Sequence, residues 1–400
     1  MEKILICTNH FFPETFRCND VAFELAKRGY DVTVLTAIPD YPKGKYYDGY
    51  GIFRRRHERV NGVNVIRGLI VPRGNGGAIR LLFNYLSFFI SSILISIYLG
   101  FFRKYDRVLI HETSPVMIGV PAVIVKKLQK CPLYFWVLDL WPESLQAAGG
   151  INNKKVLGAF EKLTTWIYIN SDKILISSKG FEQSIAEKGD FKDKIVYFPN
   201  WADKALTVKR DYQIPELPSG FKLMFAGNIG EAQDFDHIME AAKYLKNEKD
   251  IHFILVGDGR KRSWVESYRD ENQLNDTIHW VGRHPVEAMP TFFEQADVML
   301  MTLKDVSIFS LTAPAKLQAY MSAGKPILAM MNGEGPRIIE EACCGFSVPA
   351  SDSRALADTI VKLSKMSKDD LKQLGLNGKM YQLDKFDLDK SIAHLEEIFR

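Results

Sequence analysis

Apolar positions in this chain follow two patterns in turn: short continuous runs, and runs spaced three or four residues apart. Ile4-Leu5-Ile6-Cys7 is the first continuous run, of the kind carried by a parallel strand buried on both faces. Val21, Leu25 and Ala26 follow at helical spacing, and Arg28-Gly29 stops that helix before the next strand, Val32–Thr36. Strand, helix and strand in this order make a βαβ unit with a right-handed crossover. The alternation predicts further strands at Arg107–His111, Leu133–Leu138, Lys173–Ser177 and Ile195–Phe198. A proline-containing polar stretch, residues 201–220, then reads as a linker. A second series follows, with strands at Lys222–Ala226, His252–Val256, Ile278–Val281, Val298–Thr302 and Pro326–Met330, and helices such as Phe235–Leu245 and Ala355–Lys365. The expected fold is α/β: two doubly wound, Rossmann-like domains facing each other across a cleft, residues 1–200 and 221–380. A terminal helix, within 381–400, is expected to cross back to the first domain. Ligands of such sheets bind beyond the carboxyl ends of the strands.

One run breaks the pattern. Leu81–Phe102 holds no charged residue and lies between Arg80 and Arg103. Its length would span a bilayer. However, Asn84, Ser87, Ser91, Ser92 and Ser96 interrupt it, and a span would separate the strands before it from Val108–His111. Two readings stay open: a helix lying in or on a membrane interface, and an ordinary helix packed within the domain. Charge favours the first. Ten Lys and Arg residues stand in 51–107 against only Glu58 and Asp106, although the whole chain is +4. A nucleic-acid binder would spread its positive charge instead, so no nucleic-acid partner is expected, and an anionic membrane surface is. Met1-Glu2-Lys3 runs straight into a strand, with no signal peptide expected.

Composition excludes more than it identifies. With 46% hydrophobic and 25% charged residues, the 400-residue chain is neither disordered, nor a coiled coil, nor a polytopic membrane protein. Five cysteines form no disulfide framework and fit a reducing cytosol. Asp234-Phe235-Asp236 and Asp387-Leu388-Asp389 have the spacing of a carboxylate pair, but the first opens a predicted helix, where acids cap amides, and the second lies in a charged terminal helix. The eight histidines lack paired metal-ligand spacing, so neither metal nor other cofactor is expected.

The second half concentrates the candidate chemistry. Gly227-Asn228-Ile229-Gly230, with Gln233 following, joins its first strand to a helix; Gly257-Asp258-Gly259, with Arg262, follows the second strand, and Gly282-Arg283 the third. Glycines let backbone amides approach a phosphate, and the helix start favours negative charge. Any one such loop is adequately explained by turn geometry, whereas three in one domain suggest a shared anionic ligand. Pro314 opens another helix, and Lys316 then lies in its first turn, next to Leu317. A cation there opposes the helix dipole by about 0.3–1 kcal/mol unless an anion lies between them. The plainer alternative is a solvated lysine tolerated at small cost.

These loops, together with Met321-Ser322-Ala323-Gly324-Lys325-Pro326, resemble the donor domain of GT-B glycosyltransferases. The resemblance is to the retaining family-four enzymes that build bacterial capsule, O-antigen and exopolysaccharide. In the first half Phe12-Pro13-Glu14, Ser114-Pro115 and Asp139-Leu140-Trp141-Pro142-Glu143 agree with it. It implies a nucleotide-sugar donor, UDP-linked, held by Gly227, Asn228, Gly230, Gln233, Gly257, Gly259, Arg262, Gly282, Arg283, Pro314, Lys316 and Leu317. It also implies an acceptor near Pro13, Glu14 and Ser114, a polyprenyl-diphosphate-linked glycan at the cytoplasmic face of the membrane, and transfer with retention. Asp139 and Glu143 would orient the acceptor or screen developing positive charge, and Lys316 would hold the leaving diphosphate. A helix-capping role for Asp139 and a turn role for Glu14 are equally open.

Several positions depart from that family. Asn228 and Gln233 stand where it places arginine and lysine, Leu311 and Ala319 where it places paired glutamates, and Leu138-Asp139 where it places His-Asp. A subgroup resembling transferases of N-acetylated deoxyaminohexoses shares the style of Asn228-Ile229-Gly230 and of Pro314-Ala315-Lys316-Leu317-Gln318. Two other functions fit the architecture, a nucleotide-sugar epimerase and a non-catalytic membrane partner of an assembly complex. A dinucleotide oxidoreductase does not, because the first strand is followed by Thr8-Asn9-His10-Phe11-Phe12-Pro13, which contains no glycine.

Overall fold

The structure is a computed structural model describing residues 1–149, 151–208 and 212–400. It divides into two compact units, Met1–Phe198 with Ile392–Arg400, and Pro199–Ser391. Only Ile392–Arg400 returns to the first unit, so 381–391 of the expected crossover stay with the second, and the expected linker carries a short helix, Lys204–Thr207.

In the first unit eight strands form one sheet: β1 (Lys3–Thr8), β2 (Asp31–Ala37), β3 (His57–Val60), β4 (Val63–Gly68), β5 (Arg107–Glu112), β6 (Leu133–Val137), β7 (Lys173–Ile176) and β8 (Ile195–Tyr197). Their order is β3-β4-β2-β1-β5-β6-β7-β8, parallel except for the β3–β4 hairpin. Burial of β1, β5 and β6 on both faces explains their unbroken apolar runs. The β3–β4 hairpin escaped the strand pattern, yet it turns on Asn61-Gly62, both at positive φ, a strong local hairpin signal.

The second unit holds β9 (Phe221–Ala226), β10 (Ile251–Val256), β11 (Ile278–Gly282), β12 (Val298–Thr302), β13 (Ile327–Met330) and β14 (Gly345–Val348). All six are parallel in the order β11-β10-β9-β12-β13-β14, which reverses direction between β9 and β12. That reversal is the topological switch point of a Rossmann-like sheet.

The charge-free run forms a single 25-residue helix, Ala78–Phe102, built inside out. Its buried seam is Asn84, Phe88, Ser92, Ser96 and Leu99, so the polar residues that interrupt the run face the protein. Asn84 donates to Asp40 Oδ2 (2.9 Å) and Val71 O (2.6 Å), while Ser92 and Ser96 bond carbonyls of their own helix. Ile79, Phe83, Ile90, Leu94, Tyr98 and Phe101 form the opposite stripe, each more than half exposed. One face of the helix therefore packs within the first unit and the other is an exposed apolar stripe. Both ends of the helix lead into strands of one sheet, β4 and β5, which excludes a span.

Candidate functional site

At the carboxyl ends of β9, β10 and β11 the three glycine loops stack backbone on backbone. Gly227 N–H donates to Val256 O (2.9 Å), Gly257 N–H to Gly282 O (2.8 Å) and Ile229 N–H to Asp258 O (2.9 Å). The glycines are required by this stacking. Gly227 and Gly257 have φ of 140° and 142°, and a Cβ on Gly257 would collide with Gly227 O. The loops surround a hollow of about 660 Å³ walled by Gly227, Asn228, Gly257, Asp258, Arg260 and Arg283, a size suited to a small ligand. Asn228 and Gly230 amides bond no protein group among the described residues.

Lys316 reaches this wall from the adjoining helix, Ala315–Ser322, for which Pro314 is the N-cap. Its ammonium lies 3.7 Å from the centre of the Phe225 ring and fits against Gly227 only because that residue lacks a Cβ. It is shut from solvent and has no hydrogen-bond partner. Burial pushes it down to about 7. A solvated lysine, the plainer alternative, is therefore excluded. Leu317 is not a ligand group: its side chain is in the core and its N–H is taken by Pro314 O (2.9 Å). Arg262 also lies off the hollow, because its guanidinium stacks on Trp280 (3.8 Å) and pairs with Glu266 and Asp258. Arg260 lines the hollow in its place.

Asp234 and Asp236, read from the sequence as acids at a helix start, serve local contacts. Asp234 caps no amide; it accepts from Ser351 Oγ (2.8 Å) and meets His237 Nδ1 (2.7 Å), while Asp236 pairs with Lys261 (2.5 Å). Among the described residues no three His, Cys, Asp or Glu side chains gather in metal-binding geometry.

In the first unit Ser114 Oγ donates to Asp139 Oδ2 (2.7 Å) and accepts from Trp141 Nε1 (3.2 Å). The Asp139 backbone N–H is held by Glu112 (3.0 Å), whose carboxyl burial drives well above its usual range. Asp139 is thus fixed in a loop, and its side chain caps no helix. Glu143 is ion-paired with Lys188 and accepts from Ser184 Oγ (2.9 Å) through one oxygen, while the other is buried without a hydrogen-bond partner. Pro13 is half-buried beside Glu14. Glu14 uses both oxygens inside the protein, one on Asp40 and Tyr41 N–H (2.8 and 2.7 Å), the other on His10 Nδ1 (2.8 Å). It presents His10, whose ring stacks on Phe16 and lines a pocket with Asn9 and Arg73.

Two domain families match. The glycosyl transferase 4-like domain covers residues 15–201, and glycosyl transferases group 1 covers residues 220–366. WbjE of Pseudomonas aeruginosa, a glycosyltransferase by name, is 30% identical over 317 residues, 76% of each chain. The chain belongs to the group 1 glycosyltransferases. WcaI of Escherichia coli K12, named for colanic acid biosynthesis, is 24% identical over 343 residues, 80% of this transferase and 81% of its own length. HepE of Anabaena in complex with UDP superposes with a TM-score of 0.72 at 13% identity, covering 100% of this chain and 99% of its own, and the transferase shares its GT-B fold.

The departures of this transferase from its family have a structural counterpart. Asn228 and Gln233 amides crowd together over Gly230, which has no side chain to hinder them. Ala319 is buried in the core and Leu311 ends a short helix, Ser307–Leu311, so no carboxylate faces the ligand from either position. Sequence reasoning missed His10, although a histidine four residues before Glu14 was a readable signal; Arg260 was legible only as one of the cations that follow Gly259.

Proposed function

We propose that this transferase moves a sugar from a UDP-linked donor to a lipid-linked glycan acceptor in bacterial surface polysaccharide synthesis, with retention of configuration, working peripherally at the inner face of the cytoplasmic membrane. The observation that carries the reading is Lys316, a buried ammonium without a hydrogen-bond partner beside loops that offer free amides. Such a group costs about 1–3 kcal/mol in isolation and is offset when a diphosphate neutralises it. In this reading the Asn228 and Gly230 amides, Arg260 and Arg283 complete the cradle for the leaving diphosphate. The bound donor's own phosphate oxygen accepts the acceptor proton, and Asp139, steadied by Ser114, orients the acceptor beside Pro13. The name of WcaI supports the polysaccharide setting, and the UDP bound to HepE supports the donor class.

Thermal midpoints of the full chain with UDP, GDP, ADP, CDP and dTDP test the donor. UDP at one hundred times its Kd stabilises by about 2.7 kcal/mol. A midpoint indifferent to all five nucleotides defeats the reading.

The exposed stripe of Ala78–Phe102 supports the membrane setting, since an apolar face with its polar residues turned inward suits acyl chains better than water. Of the basic residues in 51–107, Arg67 is fully buried, but Arg54, Arg55, Arg59, Arg80, Arg103 and Lys104 remain exposed, each worth about 1 kcal/mol near anionic lipid. The chain is expected to sediment at low salt with vesicles of phosphatidylglycerol and phosphatidylcholine and to leave them at high salt. Ile90→Glu with Leu94→Glu, both at exposed positions, abolishes binding without unfolding. Parent chain that stays in the supernatant at low salt contradicts this setting.

A further inference from the structure

At the switch point β9 and β12 pair only through Leu223–Val298 and Met224–Met299. Beyond those pairs the strands part. Residues of a parallel strand bond alternately to left and right. Gly227 bonds towards β10, so Ala226 aims its N–H and C=O at the side where β12 has already diverged. Two main-chain groups would be left there without a strand partner, in a fully buried position.

The Tyr320 hydroxyl takes both. It accepts from Ala226 N–H at 3.0 Å and donates to Ala226 O at 3.0 Å. Its ring is buried and meets Phe293 edge-on at 5.8 Å. Tyr320 lies one turn after Lys316 on the helix Ala315–Ser322, and Ala226 is immediately followed by Gly227. One hydroxyl therefore sets the spacing between the helix that carries the ammonium and the strand end that leads into the glycine turn.

We propose that Tyr320 is a positioning residue for the donor diphosphate: through the Ala226 main chain it holds Lys316 against the Gly227 turn, without touching the nucleotide. The proposal rests on the reading of Lys316 given above. Without the hydroxyl, water enters between strand end and helix to satisfy Ala226, and the helix moves outward. The ammonium is then hydrated and returns towards an ordinary lysine.

Calorimetric titration of the full chain with UDP near pH 8, in two buffers of different ionisation enthalpy, reads affinity and proton uptake together. The parent takes up about one proton, because its lysine is mostly neutral before binding and charged afterwards. Tyr320→Phe is expected to weaken UDP by about tenfold, the scale of one lost buried hydrogen-bond set, and to take up less than half as much proton. Tyr268→Phe, which removes a hydroxyl bonded to Glu240 (2.7 Å) elsewhere in the unit, keeps both values. In a Lys316→Met background, adding Tyr320→Phe changes UDP affinity less than about twofold, because the two residues act as one.

Folded Tyr320→Phe with parental affinity and proton uptake overturns the proposal. So does an equal loss in the presence and absence of Lys316, which is the signature of a merely structural hydroxyl. If Tyr320→Phe does not fold, p-aminophenylalanine at position 320, whose amine can accept and donate where the hydroxyl does, must keep UDP binding, and failure to do so also overturns it. A parent that binds UDP with no proton uptake refutes the Lys316 reading itself, and the clamp with it.

Discussion

Lys316→Met is expected to lower donor turnover by about 10²–10³-fold while raising the thermal midpoint of the free chain. The first effect is the loss of a preorganised charge on a leaving diphosphate. The second follows from the ammonium having no partner. Removing an unpaired buried polar group returns about 1–3 kcal/mol, and a methionine thioether fits over the Phe225 ring. Opposite signs for stability and activity mark a residue placed for a ligand and not for the fold. pH gives a second signature. The free lysine titrates near 7, and a bound diphosphate raises it. UDP affinity is therefore level below about pH 7 and falls about tenfold per unit above it, until the raised value of the complex is reached. For the free chain the sign is reversed. Its depressed lysine adds stability as pH rises from about 7 towards about 10.4, the unfolded value, and Lys316→Met loses that slope. Denaturant titrations at several pH values, with UDP titrations beside them, check both.

Gly257→Ala is expected to lose UDP binding by more than about 100-fold and to destabilise the second unit by about 2–4 kcal/mol. The obstacle is main chain, since the added Cβ would fall within bonding distance of Gly227 O, and φ of 142° disfavours any side chain. The loop Gly227–Gly230 must move to admit it, and the wall of the hollow moves with that loop. Gly29→Ala is the control: φ is 94°, but nothing lies within 4 Å of the added methyl. It costs about 1 kcal/mol and leaves UDP binding unchanged. Equal UDP affinity in the two variants would remove the glycine stack from the site.

Strands buried on both faces were legible in the sequence because their apolar runs need no partner to be recognised. The three glycine loops and Lys316 were legible because each breaks a local rule of backbone or dipole. The partners of Glu14, Glu143 and Arg262 were not foreseen from the sequence. Glu14 accepts from Asp40 and Tyr41 N–H, Glu143 pairs with Lys188, and Arg262 stacks on Trp280. Sequence spacing carries no sign of these contacts, unlike the pairs of Arg262 with Asp258 and Glu266, each four residues away. The same holds for Tyr320, whose hydroxyl matters only because β9 and β12 part company two residues before Gly227. For Ala78–Phe102 the composition was read correctly, but its direction was not. Which face is buried depends on the seam formed by Asn84, Ser92 and Ser96; these residues were visible as interruptions, but the side they turn to follows from their contacts in the fold.

The ionisation of the Lys316 amine, followed by NMR of the labelled lysine ε-carbon with Lys316→Met to assign the signal, tests the diphosphate cradle most directly. The account predicts a midpoint near 7 in the free chain and one raised by at least about two units on saturation with UDP. A midpoint that stays where it is when UDP is bound contradicts it.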